Sequence, residues 1–298
     1  MMKKNFISNT LLLLALMVSN TSQSQDKLPV LVGTYLGQKP PGLIPKAFAP
    51  GVISTEGYEY SGVFTPNMDE FYFIRGSEDN KKQEFVTYKK KDNRWYGEVM
   101  SPRLGQPAIS PDGKTMHLGR RYLERTNNGW SERKNLDLPF TDILIMRLTS
   151  ASNGTYYFDT WDESNEDFPI RYSRIVEGKY EVPKPLSKTI NTGTQLNHPF
   201  IAPDESYLIW DAIRSDGHGD SDLYISYRQK DGSWGEAINL GDKINTGAWD
   251  AAGYVTPDGK YFFFNRTISP GVGDVLPNVD IYWVDAQFIE TLRPKRTE

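Results

Sequence analysis

The stretch "INTGTQLNHPFIAPDESYLIWDA", residues 190–212, has two near-copies elsewhere in the chain. They are "ISTEGYEYSGVFTPNMDEFYFIR" at residues 53–75 and "INTGAWDAAGYVTPDGKYFFFNR" at residues 244–266. Each begins with Ile, a polar residue and Thr, and each reaches a Thr-Pro or Ala-Pro whose Pro lies thirteen residues after that Ile. An aromatic run follows. A skeleton that recurs at this scale indicates a repeat architecture, so it bears on the fold before any shorter motif does.

The proline of that turn marks five units along the chain. It falls at Pro66, Pro111, Pro203 and Pro257, and Ser152 takes its place in a degenerate copy. A short apolar strand precedes each turn, and an aromatic or aliphatic strand such as "EFYFIR" or "KYFFFN" follows it. Third and fourth runs come next, and the fourth carries an aromatic residue: Trp95, Trp130, Tyr180 or Trp234. Turn residues between short runs predict hairpins, so each unit is interpreted as a four-stranded meander.

One meander cannot bury both of its faces, so the units must stack radially. The fifth unit ends without an obvious fourth strand. However, "PKAFAPGVISTEGYE" at residues 45–59 aligns with "PKPLSKTINTGTQLN" at residues 183–197, which is the fourth strand and linker of unit three. We therefore predict an all-β, five-bladed β-propeller closed by an N-terminal strand. Six blades, with one formed by poorly patterned segments, is the alternative.

Composition excludes several classes of protein. The 298 residues carry a formal net charge of −4 and no basic stripe, so we expect no nucleic-acid partner. The chain has no cysteine, and hence no disulfide and no thiol chemistry. Residues 1–25 have the pattern of a signal peptide, and their apolar segment is too short to span a membrane. We expect one propeller domain over residues 26–298, periplasmic or secreted, with no membrane span.

The units also resemble a known family. "SPDGK", "TPDGKYFFFNR" and "GHGDSDLYISYRQKDGSWGEAINLGDKINT" resemble the WD-like repeats of TolB-type periplasmic propellers and of related Bacteroidetes envelope proteins. The resemblance implies the propeller fold and leaves the activity open, because this family holds scaffolds, binders and some enzymes. "NHPF" at residues 197–200 resembles the inner-strand pattern of oligogalacturonate lyases, which are propellers whose site includes histidines on those strands.

Positions counted from the turn predict which side chains meet at one mouth of the central channel. Because side chains alternate along a strand, those seven and five residues before the turn should share a side. The predicted set is Glu59, Ser61, Gln106, Arg147, His198 and Asp250. Tyr60 and Asn197 join it only if the strand has not yet begun there. We call this end of the propeller the funnel end.

The position nine residues after the turn holds arginine in three of five units: Arg75, Arg120 and Arg266. Arg121 and Asp211 lie beside this ring. A planar guanidinium can bind a carboxylate or sulfate group through two hydrogen bonds, which predicts an anionic ligand. The alternative is that each arginine pairs with an acidic neighbour such as Glu59 or Asp250 and joins adjacent blades.

Candidate catalytic residues follow from the same placement. His198 is a candidate general base, with Tyr60 as a second choice. Glu59 and Asp250 could form the carboxylate pair that a glycosidase needs, or could cap backbone amides of the linkers. Asp216, Asp220 and Asp222 in "DGHGDSD" could bind Ca²⁺ through oxygen ligands, or the turn could be held by hydrogen bonds alone.

Three functions therefore remain open from the sequence. The first is an exported propeller that binds an anionic oligosaccharide or an envelope protein at the funnel end. The second is a carbohydrate-active enzyme, a lyase or glycoside hydrolase acting on acidic oligosaccharides. In a lyase an arginine would neutralise the uronate carboxylate while His198 or Tyr60 took the proton. The third is a structural envelope component without a small-molecule site.

Overall fold

Small antiparallel sheets form a ring in the computed structural model, which describes residues 31–161 and 169–295. The N-terminal region contributes strand β1 (Leu31–Val32), a 3-10 helix (Tyr35–Gly37) and strand β2 (Lys46–Ala47). Blade 1 consists of β3 (Glu59–Phe64), β4 (Glu70–Gly76), β5 (Gln83–Lys91) and β6 (Arg94–Pro102). Blade 2 consists of β7 (Pro107–Ile109), β8 (Thr115–Leu118), β9 (Arg121–Thr126), β10 (Gly129–Trp130) and β11 (Lys134–Asn135).

Blade 3 consists of β12 (Leu148–Ser150), β13 (Tyr156–Phe158), β14 (Arg171–Ser173), the hairpin β15 (Ile175–Val176) and β16 (Lys179–Tyr180), and β17 (Lys184–Pro185). Blade 4 consists of β18 (Thr194–Ile201), β19 (Tyr207–Ile213), β20 (Asp222–Tyr227) and β21 (Ile238–Asn239). Blade 5 consists of β22 (Asp250–Val255), β23 (Tyr261–Ser269) and β24 (Asn278–Asp285), and helix α1 (Phe288–Leu292) follows. No helix in the described ranges is long and apolar enough to cross a membrane.

The first strand of each blade lines the central channel. Strands β3, β7, β12, β18 and β22 contact one another in that order, and β3 also contacts β23 and β24 of the last blade. The predicted five-bladed propeller is therefore confirmed. The predicted signal peptide at residues 1–25 lies outside the described residues.

The N-terminal segment closes the ring, as predicted. β2 pairs with β24 as the fourth strand of blade 5, with Lys46 opposite Trp283. Phe48, which directly follows β2, is fully buried. Its ring packs against Phe71 of blade 1 and against Phe263 and Trp283 of blade 5. One apolar side chain thus joins the first and last blades. β1 was not predicted, and it adds a fifth strand to the outside of blade 1.

A β-bulge interrupts the innermost strand of blades 1, 4 and 5 at the same repeat position. The bulge residues are Ser61, His198 and Ala252, with φ of 58°, 51° and 55°. Their backbone N–H groups donate to side chains of the preceding blade: Ser61 to Asn265 (3.1 Å), His198 to Asp159 (3.0 Å) and Ala252 to Asp211 (2.9 Å). A bulge breaks the alternation of side chains, so strand periodicity alone misplaces the residues around it.

Two of the aromatic residues predicted for the outer strands, Trp130 and Trp234, join neighbouring blades. Trp130 of blade 2 donates its indole N–H to the hydroxyl of Tyr72 in blade 1 at 2.8 Å. Trp234 of blade 4 packs edge-on against Tyr157 of blade 3. These contacts bury large rings between sheets, which is the main apolar stabilisation available to a ring of small blades.

Candidate functional site

The strand register identifies the two ends of the propeller. Glu59, at the start of β3, lies opposite Arg75 near the end of β4, and Asp250 lies opposite Arg266 in the same way. These pairs are at the funnel end. The prolines of the repeat are at the opposite end, which we call the turn end.

His198 lies inside the channel at the centre of a polar cluster. Its Nδ1 is 2.9 Å and 3.1 Å from the two carboxylate oxygens of Asp211. Its Nε2 is 3.0 Å from the hydroxyl of Tyr60 and 3.2 Å from the amide nitrogen of Gln106. The structure therefore brings together four of the residues predicted from the sequence, contributed by blades 1, 2 and 4.

The hydrogen bonds determine which nitrogen of His198 carries the proton. A carboxylate only accepts, so Asp211 holds the proton on Nδ1 and leaves the lone pair of Nε2 facing Tyr60 and Gln106. Burial, with smaller contributions from Tyr58 and Asp211, raises the pKa of Tyr60 well above its usual value. The phenol therefore stays protonated and donates to Nε2. The order Asp211, His198, Tyr60 is suited to moving a proton along the chain of hydrogen bonds.

Aromatic rings surround the funnel side of this cluster. Trp249 stacks on Tyr60 with 5.8 Å between ring centroids and meets His198 edge-on at 6.0 Å. Tyr58 lies against Tyr60 at 5.8 Å. Tyr58 and Trp249 are partly exposed, whereas Tyr60 and His198 are buried. The rings of Trp249 and Tyr58 thus shield His198 and Tyr60 from water.

Glu59 and Asp250 bind the linkers that precede their strands. Glu59 accepts from the backbone N–H and the hydroxyl of Thr55 at 2.9 Å and 2.7 Å. Asp250 accepts from the same two groups of Thr246, both at 2.7 Å, and from Arg266 at 2.6 Å. The recurring Ile-x-Thr therefore supplies the threonine that these acids cap. The two carboxylates predicted as a catalytic pair are occupied by these contacts.

The three predicted arginines differ in their partners. Arg75 donates through Nε and Nη2 to Glu84 at 3.1 Å and 3.0 Å, on the neighbouring strand β5. Arg266 pairs with Asp250 and lies over the ring of Tyr282. Arg120 forms no ion pair with a described residue and donates to the carbonyl oxygen of Thr141 at 2.9 Å. Two of the three guanidinium groups are thus occupied by carboxylates.

Arg120 lines a cleft of about 400 Å³ between blades 2 and 3 at the funnel end. The charged and polar lining comprises Arg103, Gln106, Arg120 and Arg121. The apolar lining includes Leu144, Met146 and Trp161, which are 47%, 36% and 44% exposed. Arg103 and Arg121, like Arg120, make no ion pair with any residue in the described ranges. The described lining of the cleft is therefore basic and partly aromatic.

A glycine gives this cleft its shape. Gly119 has φ of 71°, and a β-carbon there would lie 2.4 Å from the carbonyl oxygen of Ile145 in blade 3. Only glycine allows the β8–β9 turn to approach blade 3 so closely, and the turn places Arg120 and Arg121 at the cleft. Gln106 lines the same cleft and contacts His198. The cluster of His198, Asp211 and Tyr60 therefore lies directly behind the cleft. A second cavity of about 410 Å³ lies beside α1, away from the channel.

Two predicted ligand residues, Asn197 and Arg147, do not line the arginine cleft. Asn197 donates to the backbone oxygen of Gln195. Arg147 is 1% exposed and lines a separate cavity at the turn end rather than the funnel mouth. Unlike His198 at the same repeat position, it does not have a positive φ. Counting from the turn predicts Arg147 and His198 at the same mouth of the channel, whereas Arg147 lines the turn-end cavity and His198 pairs with Asp211.

The acidic turn at residues 216–222 is held by hydrogen bonds. Asp222 accepts from the backbone N–H groups of His218 and Gly219 and from the side chain of Asn239. Asp216 accepts from Arg214 and Tyr224. Within the part of the chain that the structure describes, no three His, Asp or Glu side chains converge as a metal site. Asp216, Asp220 and Asp222 are therefore not brought together as calcium ligands.

Sequence reasoning missed Asp159, Arg103 and Trp249. Asp159 accepts from the backbone N–H of Met146, Arg147 and His198 at 3.0, 2.9 and 3.0 Å. A signal for it existed, because "YYFDT", "LIWDA" and "FFFNR" all place Asp or Asn after an aromatic or aliphatic strand. Arg103 lies in a linker outside the counted positions, so the repeat gave no signal for it.

Comparison with known proteins bears on the fold. No family model and no curated protein matches the chain. The catalytic domain of a GH62 α-L-arabinofuranosidase from Coprinopsis cinerea matches with TM-score 0.51 and 9% identity, over 82% of this chain and 97% of that one. TolB from Acinetobacter baumannii matches with TM-score 0.46 and 14% identity over 77% of this chain, which spans 57% of TolB's length. A gluconolactonase from Xanthomonas campestris matches with TM-score 0.48 and 9% identity, over 87% and 98%.

At these identities the likenesses concern the fold alone. The fold and the strand order together define a five-bladed β-propeller, and TolB is among the solved structures that it resembles. A shared fold does not specify an activity, so the function of this protein depends on the chemistry of its own side chains.

Proposed function

We propose that this protein is an exported propeller that binds an anionic oligosaccharide in the cleft between blades 2 and 3. The observation that carries the proposal is the grouping of Arg103, Arg120 and Arg121 around one open cleft, without an ion pair to any described residue. The signal-peptide pattern of residues 1–25 supports a periplasmic or secreted location.

The chemistry of the lining favours a charged sugar over a neutral one. Guanidinium groups grip carboxylate or sulfate groups through paired hydrogen bonds. The exposed ring of Trp161 offers an apolar face on the same cleft, against which the C–H face of a sugar ring can pack. A volume of about 400 Å³ lies within the range typical of small-ligand sites, so it suits one or two sugar units of a longer chain.

The test is calorimetric titration of the full chain with oligogalacturonate and with its fully methyl-esterified form, which has the same sugar rings without charge. We expect saturable binding of the acid form only, weakened as ionic strength rises because exposed charges are screened. Arg120→Gln should weaken binding by about 1.5–3 kcal/mol, as expected for a lost charged hydrogen bond. Equal binding of both forms, or no binding of either by wild type, would refute the proposal.

A second candidate function is supported by the hydrogen bonds of His198. Asp211 orients the imidazole, and Gln106 links it to the cleft, so the same cleft could present a uronate to a base. In such a lyase reaction a guanidinium neutralises the uronate carboxylate while the base takes the proton from the carbon next to it. The glycosidic bond breaks and a carbon–carbon double bond forms. The protein would then be a lyase for acidic oligosaccharides.

Turnover separates this candidate from simple binding. A lyase should release products with a new carbon–carbon double bond, detected by ultraviolet absorbance. His198→Ala should lower that rate by about 10²–10⁴-fold while leaving affinity for the oligosaccharide within a few-fold of wild type. If wild type binds acidic oligosaccharides and forms no unsaturated product, the binding function stands and the lyase function fails.

A further inference from the structure

A second opening to the channel lies among the repeat turns, at the end opposite the cleft. It leads to a cavity of about 130 Å³. Exposed prolines of three units line it: Pro66, Pro203 and Pro257. Phe64, Phe200 and Tyr254 are buried and line it as well, together with the guanidinium residue Arg147. The cavity thus combines apolar and aromatic residues with one cationic side chain.

The guanidinium of Arg147 has most of its donors free. The residue is 1% exposed, and its Nε and Nη1 make no hydrogen bond to any described residue. Nη2 donates one long bond of 3.5 Å to the carbonyl oxygen of Gly253. A guanidinium carries five N–H donors, and leaving a buried charged group unsatisfied costs several kcal/mol.

The nearest carboxylates do not satisfy Arg147, because their oxygens are engaged elsewhere. Asp159 accepts from three backbone N–H groups, including that of Arg147 itself. Asp211 accepts from His198 and from the backbone N–H of Ala252. Both acids stabilise the cation at a distance, and neither makes a hydrogen bond to its side chain. The free donors of Arg147 therefore remain for a group that enters from the turn end.

The size and lining of the cavity define that group. A dry cavity of roughly 150 Å³ in another protein accommodates a ring of six carbon atoms, so about 130 Å³ suits about six non-hydrogen atoms. A carboxylate would match the planar fork of the guanidinium, and a short apolar chain would match the aromatic wall. A sulfate or phosphate ester with a sugar attached would exceed this volume.

We propose that the turn-end cavity binds a short-chain monocarboxylate. Its carboxylate accepts hydrogen bonds from the free N–H groups of Arg147, and its alkyl chain lies against Phe64, Phe200 and Tyr254. The site is separate from the arginine cleft, since His198, Tyr60 and Gln106 occupy the channel on its funnel side. It does not depend on the function proposed for the cleft.

The experiment is calorimetric titration of the full chain with sodium butyrate and with butyramide at constant ionic strength. The two molecules have the same shape, and only butyrate carries a charge. We expect saturable binding of butyrate and none of butyramide. Arg147→Met should weaken butyrate binding by about tenfold or more, whereas the matched variant Arg75→Met should leave it unchanged, because Arg75 is paired with Glu84.

A second variant keeps the test valid if Arg147→Met does not fold. Ala108 is buried and lines the cavity, so Ala108→Leu fills the space and retains the arginine. We expect this variant to lose butyrate binding with an unchanged circular dichroism spectrum. Butyrate binding that survives in Ala108→Leu, equal binding of butyramide, or saturable binding of chloride with none of butyrate would each overturn the proposal.

Discussion

Blades 1, 4 and 5 follow the repeat closely, whereas blades 2 and 3 depart from it. The innermost strands of blades 1, 4 and 5 have six, eight and six residues, and each contains a bulge with a left-handed residue. Those of blades 2 and 3 have three residues each and no register shift. The difference extends from the backbone to the side chains that the strands present.

Where the repeat is intact, its polar residues stabilise the propeller. Arg75 is paired with Glu84, Arg266 with Asp250, and both Glu59 and Asp250 cap a linker threonine. Where the repeat degrades, Arg120 and its neighbours line an open cleft instead. The polar residues of the repeat at the funnel end are therefore structural in blades 1 and 5, and the arginine cleft forms beside the irregular blades.

The largest effect should come from opening the ring. Deleting residues 26–55 removes β2 and Phe48, which join blade 5 to blade 1. The last blade loses its outer strand, so we expect the cooperative unfolding transition to disappear in thermal scans followed by circular dichroism. Phe48→Ala, which keeps β2, should cost about 3–5 kcal/mol. A truncated protein that melts at the wild-type temperature would show that the ring does not depend on this segment.

Substituting Asp159 should have the next largest effect on stability. Asp159 in blade 3, like Asp211 in blade 4 and Asn265 in blade 5, accepts a hydrogen bond from the bulge N–H of the next blade. Asp159→Ala leaves three backbone N–H groups, two of them buried, without an acceptor and should lower the free energy of unfolding by about 3–5 kcal/mol. Chemical denaturation measures it. Asp159→Asn is the control and should cost much less, since Asn265 already accepts the equivalent bond through its amide oxygen. Equal losses in both variants would mean that charge, and not hydrogen bonding, matters there.

A smaller effect should appear as pH dependence at the seam between blades 1 and 5. Burial raises the pKa of Glu59 to about 7 and that of Asp280 to about 6, and the charge of Asp280 contributes to the rise at Glu59. The folded state thus binds protons that the unfolded chain releases above pH 4–5. This stabilisation is complete below that range and is lost as pH rises through 7, so unfolding free energy should fall by on the order of 2 kcal/mol between pH 5 and 8.

The variant Glu59→Gln isolates that contribution. Its stability should change less with pH than that of wild type over the same range, whereas the exposed control Glu98→Gln should keep the wild-type dependence. Parallel curves for wild type and Glu59→Gln would show that Glu59 is ionised in the folded protein throughout.

The fold could be predicted because its determinants are local. The turn at Pro203 or Pro257, the aromatic run after it and the fourth-strand match of residues 45–59 are all contiguous patterns, and the structure confirms the propeller and its closure. The convergence of His198 and Gln106 also followed from counting, because both lie five residues before the turn position. A repeat fixes which positions face a common axis.

The rest of the site depends on backbone geometry that the repeat pattern does not encode. Non-glycine residues in the left-handed region are costly, so nothing in the sequence predicts them at Ser61 or His198. The bulge of blade 1 brings Tyr60 to His198, whereas Arg147 in blade 3 lacks the left-handed φ of the equivalent residues and lines the turn-end cavity. The pairing of Arg75 with Glu84 depends on the register between β4 and β5, which counting from the turn cannot supply.

The contrast between regular and irregular blades is tested most directly by substituting arginine at the same repeat position in two blades. Affinity for oligogalacturonate should be measured by calorimetry for wild type, Arg120→Gln and Arg75→Gln. We expect Arg120→Gln to weaken binding by about tenfold or more and Arg75→Gln to leave it within twofold. Equal losses in the two variants, or a loss confined to Arg75→Gln, would contradict the assignment of the ligand site to the cleft between blades 2 and 3.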